Sequence, residues 1–180
     1  MTEYNLEELK ILIVDDNSNL CSMVKTVLYS LAIRSIKVAD TADAAFCILK
    51  TEPIDIVICD WVMKPIDGPM FVKRIRQGKD SPNPYIPIIM LSGYSDEARV
   101  LKSRDLGVNE FLTKPFSAKS LYTRIKAVVE SERRFVKTES FFGPDRRRNV
   151  DKYYSKKERR MPEGYNSEEP NSDENGSEGT

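Results

Sequence analysis

The residues of this chain that could do chemistry stand at the ends of four apolar runs. Ile11-Leu12-Ile13-Val14 leads into Asp15-Asp16, and Ile54-Asp55-Ile56-Val57-Ile58-Cys59 leads into Asp60. Ile86-Pro87-Ile88-Ile89-Met90-Leu91 leads into Ser92-Gly93, and Val108-Asn109-Glu110-Phe111-Leu112-Thr113 leads into Lys114-Pro115. A carboxylate that accepts a phosphoryl group needs hard-oxygen ligands to hold a divalent cation. It also needs fixed donors for the phosphate oxygens as charge shifts in the transition state. Asp15 and Asp16 have the chemistry to hold such a metal. Asp60 can serve as nucleophile and third acidic ligand, and Ser92 and Lys114 can bind phosphate oxygens.

Each piece alone has a plainer reading. An Asp-Asp pair after a strand often just caps a helix. A single Asp or a Ser-Gly closing a strand is commonly a turn, and a Lys before Pro can be a surface residue. Joint placement is what argues for a site. Ligands of an open parallel sheet bind beyond the carboxyl ends of its strands, and all four groups fall there.

The elements that must position these groups alternate along the first 132 residues. Asn17 or Ser18 can cap a helix running to about Leu31, with Leu20, Val24, Val27, Leu28 and Leu31 at helical spacing. Ser35 to Ala39 reads as a second strand. Thr41 can cap a short helix carrying Ala44, Ala45, Ile48 and Leu49 on one face and ending before Pro53. Strands are expected over 54–59, 86–91 and 108–112. Between them fall a helix with Met70, Phe71, Val72 and Ile75 inward and a helix from Ser95 or Asp96 to about Leu106, stopped by Gly107. Ser117 starts the last helix, with Leu121, Ile125, Val128 and Val129 as its stripe. Five strands each followed by a helix imply right-handed crossovers and an α/β, doubly wound parallel sheet covered on both faces.

Net charge is zero, but it is unevenly laid out. Residues 1–132 hold 17 basic and 18 acidic side chains; 133–160 hold 11 basic and 4 acidic; 161–180 hold 6 acidic and none basic. The chain therefore divides into an N-terminal segment (1–9), a folded domain (10–132), a basic extension with interleaved aromatics (133–160) and an acidic tail (161–180) expected to be disordered. Cys21, Cys47 and Cys59 form no CxxC pair and read as buried free thiols in a reducing compartment. The polar start is unlike a signal peptide. No apolar run approaches the roughly 18 residues that span a bilayer, so a cytoplasmic protein is expected. The absence of histidine excludes Ser-His-Asp triads, His zinc sites and phosphohistidine relays within the chain.

Residues 10–131 resemble the receiver domain of bacterial response regulators, the CheY-like superfamily. The matching motifs are Ile13-Val14-Asp15-Asp16, the run from Asp60 through Trp61, Met63 and Pro65 to Gly68, Pro87 to Gly93, and Lys114-Pro115-Phe116. The resemblance implies a flavodoxin-like sheet of order 2-1-3-4-5. It implies Asp60 as phosphoacceptor and a Mg²⁺ site made by Asp15, Asp16, Asp60 and the Val62 carbonyl. It implies Ser92 as switch hydroxyl and Lys114 as phosphate-binding cation. Phe111, three residues before Lys114, is either a core residue or an aromatic rotamer switch moving with Ser92. Two departures stand out. The proline usual directly after Met63 is displaced to Pro65, and Val62 and Tyr94 flank the path of attacking water, where they are expected to slow hydrolysis.

The resemblance implies a stand-alone switch that takes phosphate from a histidine kinase or phosphotransfer protein and acts on a downstream protein. A second reading gives the basic extension, with Phe141-Phe142-Gly143-Pro144-Asp145-Arg146-Arg147-Arg148 at its centre, a nucleic-acid partner. A third, an aspartyl-phosphate phosphatase of the haloacid-dehalogenase type, wants a second Asp two residues after the nucleophile. That position is Val62, which disfavours a dedicated enzyme.

Overall fold

The computed structural model describes residues 6–93, 101, 104–131, 135–138 and 141–145, and residues 1–146 form one compact unit. Its sheet has five parallel strands: β1 (Lys10–Val14), β2 (Ser35–Ala39), β3 (Ile56–Asp60), β4 (Ile88–Ser92) and β5 (Glu110–Thr113). Their order is β2-β1-β3-β4-β5, as the resemblance implied. Among the described residues four helices accompany them: α1 (Ser18–Ser30), α2 (Ala42–Thr51), α3 (Gly68–Gln77) and α4 (Ala118–Val129). The helix expected from Ser95 or Asp96 lies mostly outside the described residues, as do Tyr94 and the expectations for 146–180. Its described end, Arg104 and Asp105, is helical, and Gly107 follows at φ +88°.

Continuous apolar runs make these strands because both faces are covered. Leu12, Val14, Val57, Cys59, Ile88 and Met90 pack on the α2–α3 side. Ile11, Ile13, Ile56, Ile58, Ile89 and Leu91 pack on the α1–α4 side. Alternating residues thus serve opposite cores. Helix starts follow the expected caps. Asn17 accepts from the Asn19 and Leu20 amides, Thr41 from Ala44, and Ser117 from Ser120. On α4, Leu121, Ile125 and Val128 are buried, each worth about 1.5–3 kcal/mol in apolar burial.

β2 has its expected bounds and β1 starts one residue earlier, at Lys10, while β3, β4 and β5 start two residues later than expected. Pro87 has no N–H for the ladder, so β4 begins at Ile88, although the Pro87 carbonyl still accepts from Val57 N at 2.9 Å. Two side chains depart from expectation. Met70 is exposed, because the buried face of α3 is Phe71, Val72, Ile75 and Arg76, and Met70 lies opposite it. On α2 the expected face packs inward, Ala45 buried and Ala44, Ile48 and Leu49 half-buried against the same core, with Ala42 and Phe46 buried beside them. Cys47 points outward and is exposed, while Cys21 and Cys59 are buried free thiols.

Beyond α4 the described residues include an antiparallel hairpin of β6 (Phe135–Lys137) and β7 (Phe142–Pro144). Thr138 closes its turn. Its amide donates to the Phe141 carbonyl at 2.8 Å, and its Oγ1 accepts from the Phe141 amide at 3.1 Å.

Candidate functional site

The carboxyl ends of β1, β3, β4 and β5 bring Asp15, Asp60, Ser92 and Lys114 together. Parallel register places Val14 beside Cys59, Asp60 beside Leu91, and Ser92 beside Thr113. Asp15 follows Val14, and Lys114 follows Thr113. The Lys114 amide donates to the Ser92 carbonyl at 2.7 Å, which ties the last two strand ends together.

The charged contacts are direct. Lys114 Nζ donates to Asp60 Oδ1 at 2.8 Å and to Asp15 Oδ2 at 3.3 Å. Asp60 Oδ1 also accepts from the Trp61 amide at 2.7 Å, and Asp15 Oδ1 from the Asn17 amide at 2.8 Å. Both carboxylates are buried, and so is Ser92. Burial raises the Asp15 pKa, and the neighbouring Asp60 carboxylate pushes the same way; the Asn17 amide and Lys114 offset part of it. Among the described residues no hydrogen bond reaches Asp60 Oδ2.

Asp16 is placed differently. Its Oδ2 accepts from the Lys64 amide at 3.2 Å, which pins the loop after β3. Val62 on that loop is exposed, and Trp61 and Met63 are buried beneath it. Gly68 closes the loop by donating to the Trp61 carbonyl at 3.0 Å. A Cβ there would lie 2.1 Å from the Asp60 carbonyl oxygen, so only glycine allows this approach. Phe111 is half-buried on β5 and meets Trp61 edge to face, with ring centroids 6.3 Å apart. In this position it is part of the α2–α3 core.

The donors suit a hard divalent cation by chemistry. Asp15, Asp16 and Asp60 offer carboxylate oxygens within one sheet edge, and a cationic ammonium already bridges two of them. Among the described residues no three acidic, Cys or His side chains converge on one point, since Asp16 is turned to Lys64. Holding a metal therefore requires that carboxylate to turn.

A second cation was not visible to sequence reasoning. Arg76 lies on the buried face of α3 and is 4% exposed. Its Nε donates to the Gly107 carbonyl at 3.0 Å, Nη1 to the Pro84 carbonyl at 2.8 Å and Nη2 to Asn109 Oδ1 at 3.1 Å. Burial lowers its pKa to about 9, so it stays charged at neutral pH. One signal existed: an arginine stood at the apolar spacing Phe71, Val72, Ile75.

Comparison with known proteins agrees with this geometry. The response regulator receiver domain family matches residues 11–126. Chemotaxis protein CheY-3 of Vibrio cholerae is 31% identical over 124 residues, covering 69% of this chain and 94% of the relative. The phosphate regulon transcriptional regulatory protein PhoB of Escherichia coli is 31% identical over 120 residues, covering 67% of this chain and 51% of PhoB. This chain thus spans about half the length of that transcriptional regulator. Among solved structures, a putative response regulator from Chloroflexus aurantiacus aligns with TM-score 0.63 and 28% identity over 68% of this chain and 98% of its own. Vibrio cholerae chemotaxis protein CheY4 aligns with TM-score 0.61 and 26% identity over 67% and 98%. The chain belongs to the response regulator receiver domain family of two-component signalling.

Proposed function

We propose that the protein is a phosphoacceptor switch that takes a phosphoryl group on Asp60 from a phosphohistidine of a histidine kinase or phosphotransfer protein. The observation that carries this reading is the Lys114 ammonium held on Asp60 Oδ1 and Asp15 Oδ2, with Asp60 Oδ2 left open. Asp60 Oδ2 attacks phosphorus, the P–O bond forms as the P–N bond breaks, and the imidazole leaves. Asp15, Asp16, Asp60 and the Val62 carbonyl would hold Mg²⁺, which supplies charge neutralisation for the phosphate oxygens. Lys114 and Ser92 bind those oxygens in the product. Hydrolysis reverses the state: water attacks phosphorus and returns the Asp60 carboxylate and inorganic phosphate.

The reading extends to signalling. Lys114 and Ser92 both move to meet the new phosphate, and Phe111 follows into the space beside Ser92. The altered surface around β5 and α4 is then read by a protein partner. The receptor part of this reading is tested by incubation with acetyl phosphate and Mg²⁺, followed by intact mass. The expected result is one added phosphate in the wild type and none in Asp60→Ala. Equal labelling of the two would remove Asp60 from the role.

A further inference from the structure

The hairpin that follows α4 docks on the opposite edge of the sheet from Asp60, and its docking is built rather than incidental. Tyr85, in the loop before β4, meets Phe135 and Phe142 edge to face, each at 5.1 Å between centroids. Phe135 and Phe142 meet each other at 5.6 Å. The Arg76 guanidinium lies 5.3 Å from the Phe135 ring centre, so the hairpin forms part of the lid that buries this cation. Two glycines interlock at the base. A Cβ on Gly143 would lie 2.5 Å from Gly107 Cα, and one on Gly107 would lie 2.6 Å from the Phe142 carbonyl oxygen. The Phe-Gly-Pro of the extension thus has a structural job: ring anchor, close backbone approach, strand end.

What the hairpin grips is the entrance to β5. Gly107 is held by Arg76, and so is Asn109, whose Oδ1 also accepts from the Ile88 amide at 3.0 Å. Four residues later β5 ends and Lys114 begins the phosphoacceptor site. At about 3.3 Å per residue, that strand is a rigid rod of roughly 13 Å. It is also the edge strand, paired only with β4, so it is freer to shift than β1 or β3. Phosphate on Asp60 would give the Lys114 ammonium a new anion to meet beside its Asp60 and Asp15 contacts. Movement of Lys114 toward it displaces one end of β5, and the other end carries the Gly107–Gly143 contact. That contact is already closer than a side chain would permit. Approach is blocked and retreat opens a gap, so either displacement weakens docking. Beside these ring contacts the hairpin and the loop after α3 enclose a cleft of ≈ 520 Å³ lined by Arg76, Lys79, Tyr85, Lys137 and Phe141, so the docked face is only partly filled.

We propose that the hairpin Phe135–Pro144 is a strap that reports the state of the phosphoacceptor site, docked in the resting receiver and released on phosphorylation. The inference rests on the reading of Asp60 as the phosphoacceptor. Coupling is reciprocal, so a chain whose strap is undocked should reach the phosphorylated state more readily.

The test uses the full chain with acetyl phosphate and Mg²⁺, reading intact mass and amide hydrogen exchange on the same sample. The expected result is one added phosphate and at least tenfold faster exchange across residues 135–145. In the unphosphorylated protein, Gly143→Val should show that fast exchange already and, at a subsaturating acetyl phosphate concentration, reach at least a threefold higher ratio of phosphorylated to unphosphorylated chain than wild type. Phe142→Ala is the gentler variant, used if Gly143→Val loses its native circular dichroism, and it should shift both readouts in the same direction. Added phosphate with unchanged exchange at 135–145 overturns the strap and leaves the phosphoacceptor reading standing. Failure of wild type to gain phosphate overturns that reading and the strap with it.

Discussion

Lys114 and Arg76 are two cations at opposite edges of one sheet, and they are held in opposite ways. Lys114 sits between two carboxylates with its side chain 22% exposed. Arg76 is nearly fully buried among two backbone carbonyls, one amide oxygen and an aromatic ring, with no carboxylate among its described partners. A charge paired with charge and reached by water can be handed to a new anion. A charge spread over neutral oxygens in a dry pocket has nothing to exchange, and its bonds act as fixed geometry. The lesson is that the charge at one end of the sheet is free to exchange partners and the charge at the other is not. β5 runs between them, from the turn Arg76 grips to Lys114.

The largest expected effect breaks the comparison on the holding side. Arg76→Met removes a guanidinium and strands the carbonyls of Gly107 and Pro84, while Asn109 Oδ1 keeps the Ile88 amide. At about 1–3 kcal/mol for each buried acceptor left unmet, offset by the methionine's apolar contact, a loss of about 3 kcal/mol is expected in urea unfolding. Lys114→Met should change stability by no more than about 1 kcal/mol, because water and counter-ions reach the carboxylates it leaves. Its cost should appear instead as a further rise in the Asp15 pKa, since Lys114 holds that value down. Equal destabilisation by the two substitutions would erase the distinction between the edges.

The next effect sharpens the changing side. Asp16 Oδ2 accepts from the Lys64 amide of the loop after β3, whereas Asp15 and Asp60 hold the Lys114 ammonium. If it turns inward to hold Mg²⁺, Asp16→Ala should weaken the cation by about 30-fold, near 2 kcal/mol. Trp61, buried beside Asp60 and the only tryptophan, gives the readout in a fluorescence titration. Unchanged Mg²⁺ affinity would confine Asp16 to its structural bond.

The two edges also differed in how far the sequence disclosed them. The changing edge was legible, because a strand buried on both faces is a solid apolar run and its first polar residue marks its end. Asp15, Asp60 and Ser92 follow such runs, whereas the run before Lys114 is broken by Asn109, Glu110 and Thr113 and was read from the Lys-Pro that ends it. Helix starts were legible for a similar reason: Asn17, Thr41 and Ser117 carry their hydrogen-bond acceptors visibly. The holding edge was not. Arg76 looks like any surface arginine until the turn at Gly107 supplies its acceptor, and Gly143 looks like a loop glycine until Gly107 faces it. Those contacts join residues more than thirty apart, and no local pattern encodes them. The stop of α1 was read at about Leu31, which is its C-cap, although no glycine marks it: Ala32 takes φ 66°, held by its amide on the Tyr29 carbonyl at 3.1 Å. The rings of the extension were plain in the sequence, but the packing of Phe135 and Phe142 on Tyr85 was not.

The smallest effect tests whether the lysine end of β5 is set by the strand or by the helix that follows it. Only Pro115 and Phe116 separate Lys114 from Ser117, whose hydroxyl accepts from the Ser120 amide at 3.1 Å while Ser120 Oγ accepts from the Ser117 amide at 3.0 Å. This reciprocal cap satisfies two amides at the start of α4, so Ser117→Ala should cost about 1 kcal/mol of stability. Lys114 itself, however, is placed by β5: its amide is bonded to Ser92 and its ammonium to Asp60. The variant should therefore gain phosphate from acetyl phosphate at a rate within twofold of wild type. A rate loss of tenfold or more, with the stability change still near 1 kcal/mol, would mean that the cap and not the strand aims the lysine. The changing edge would then extend into α4, and β5 would no longer be the sole link between the two cations.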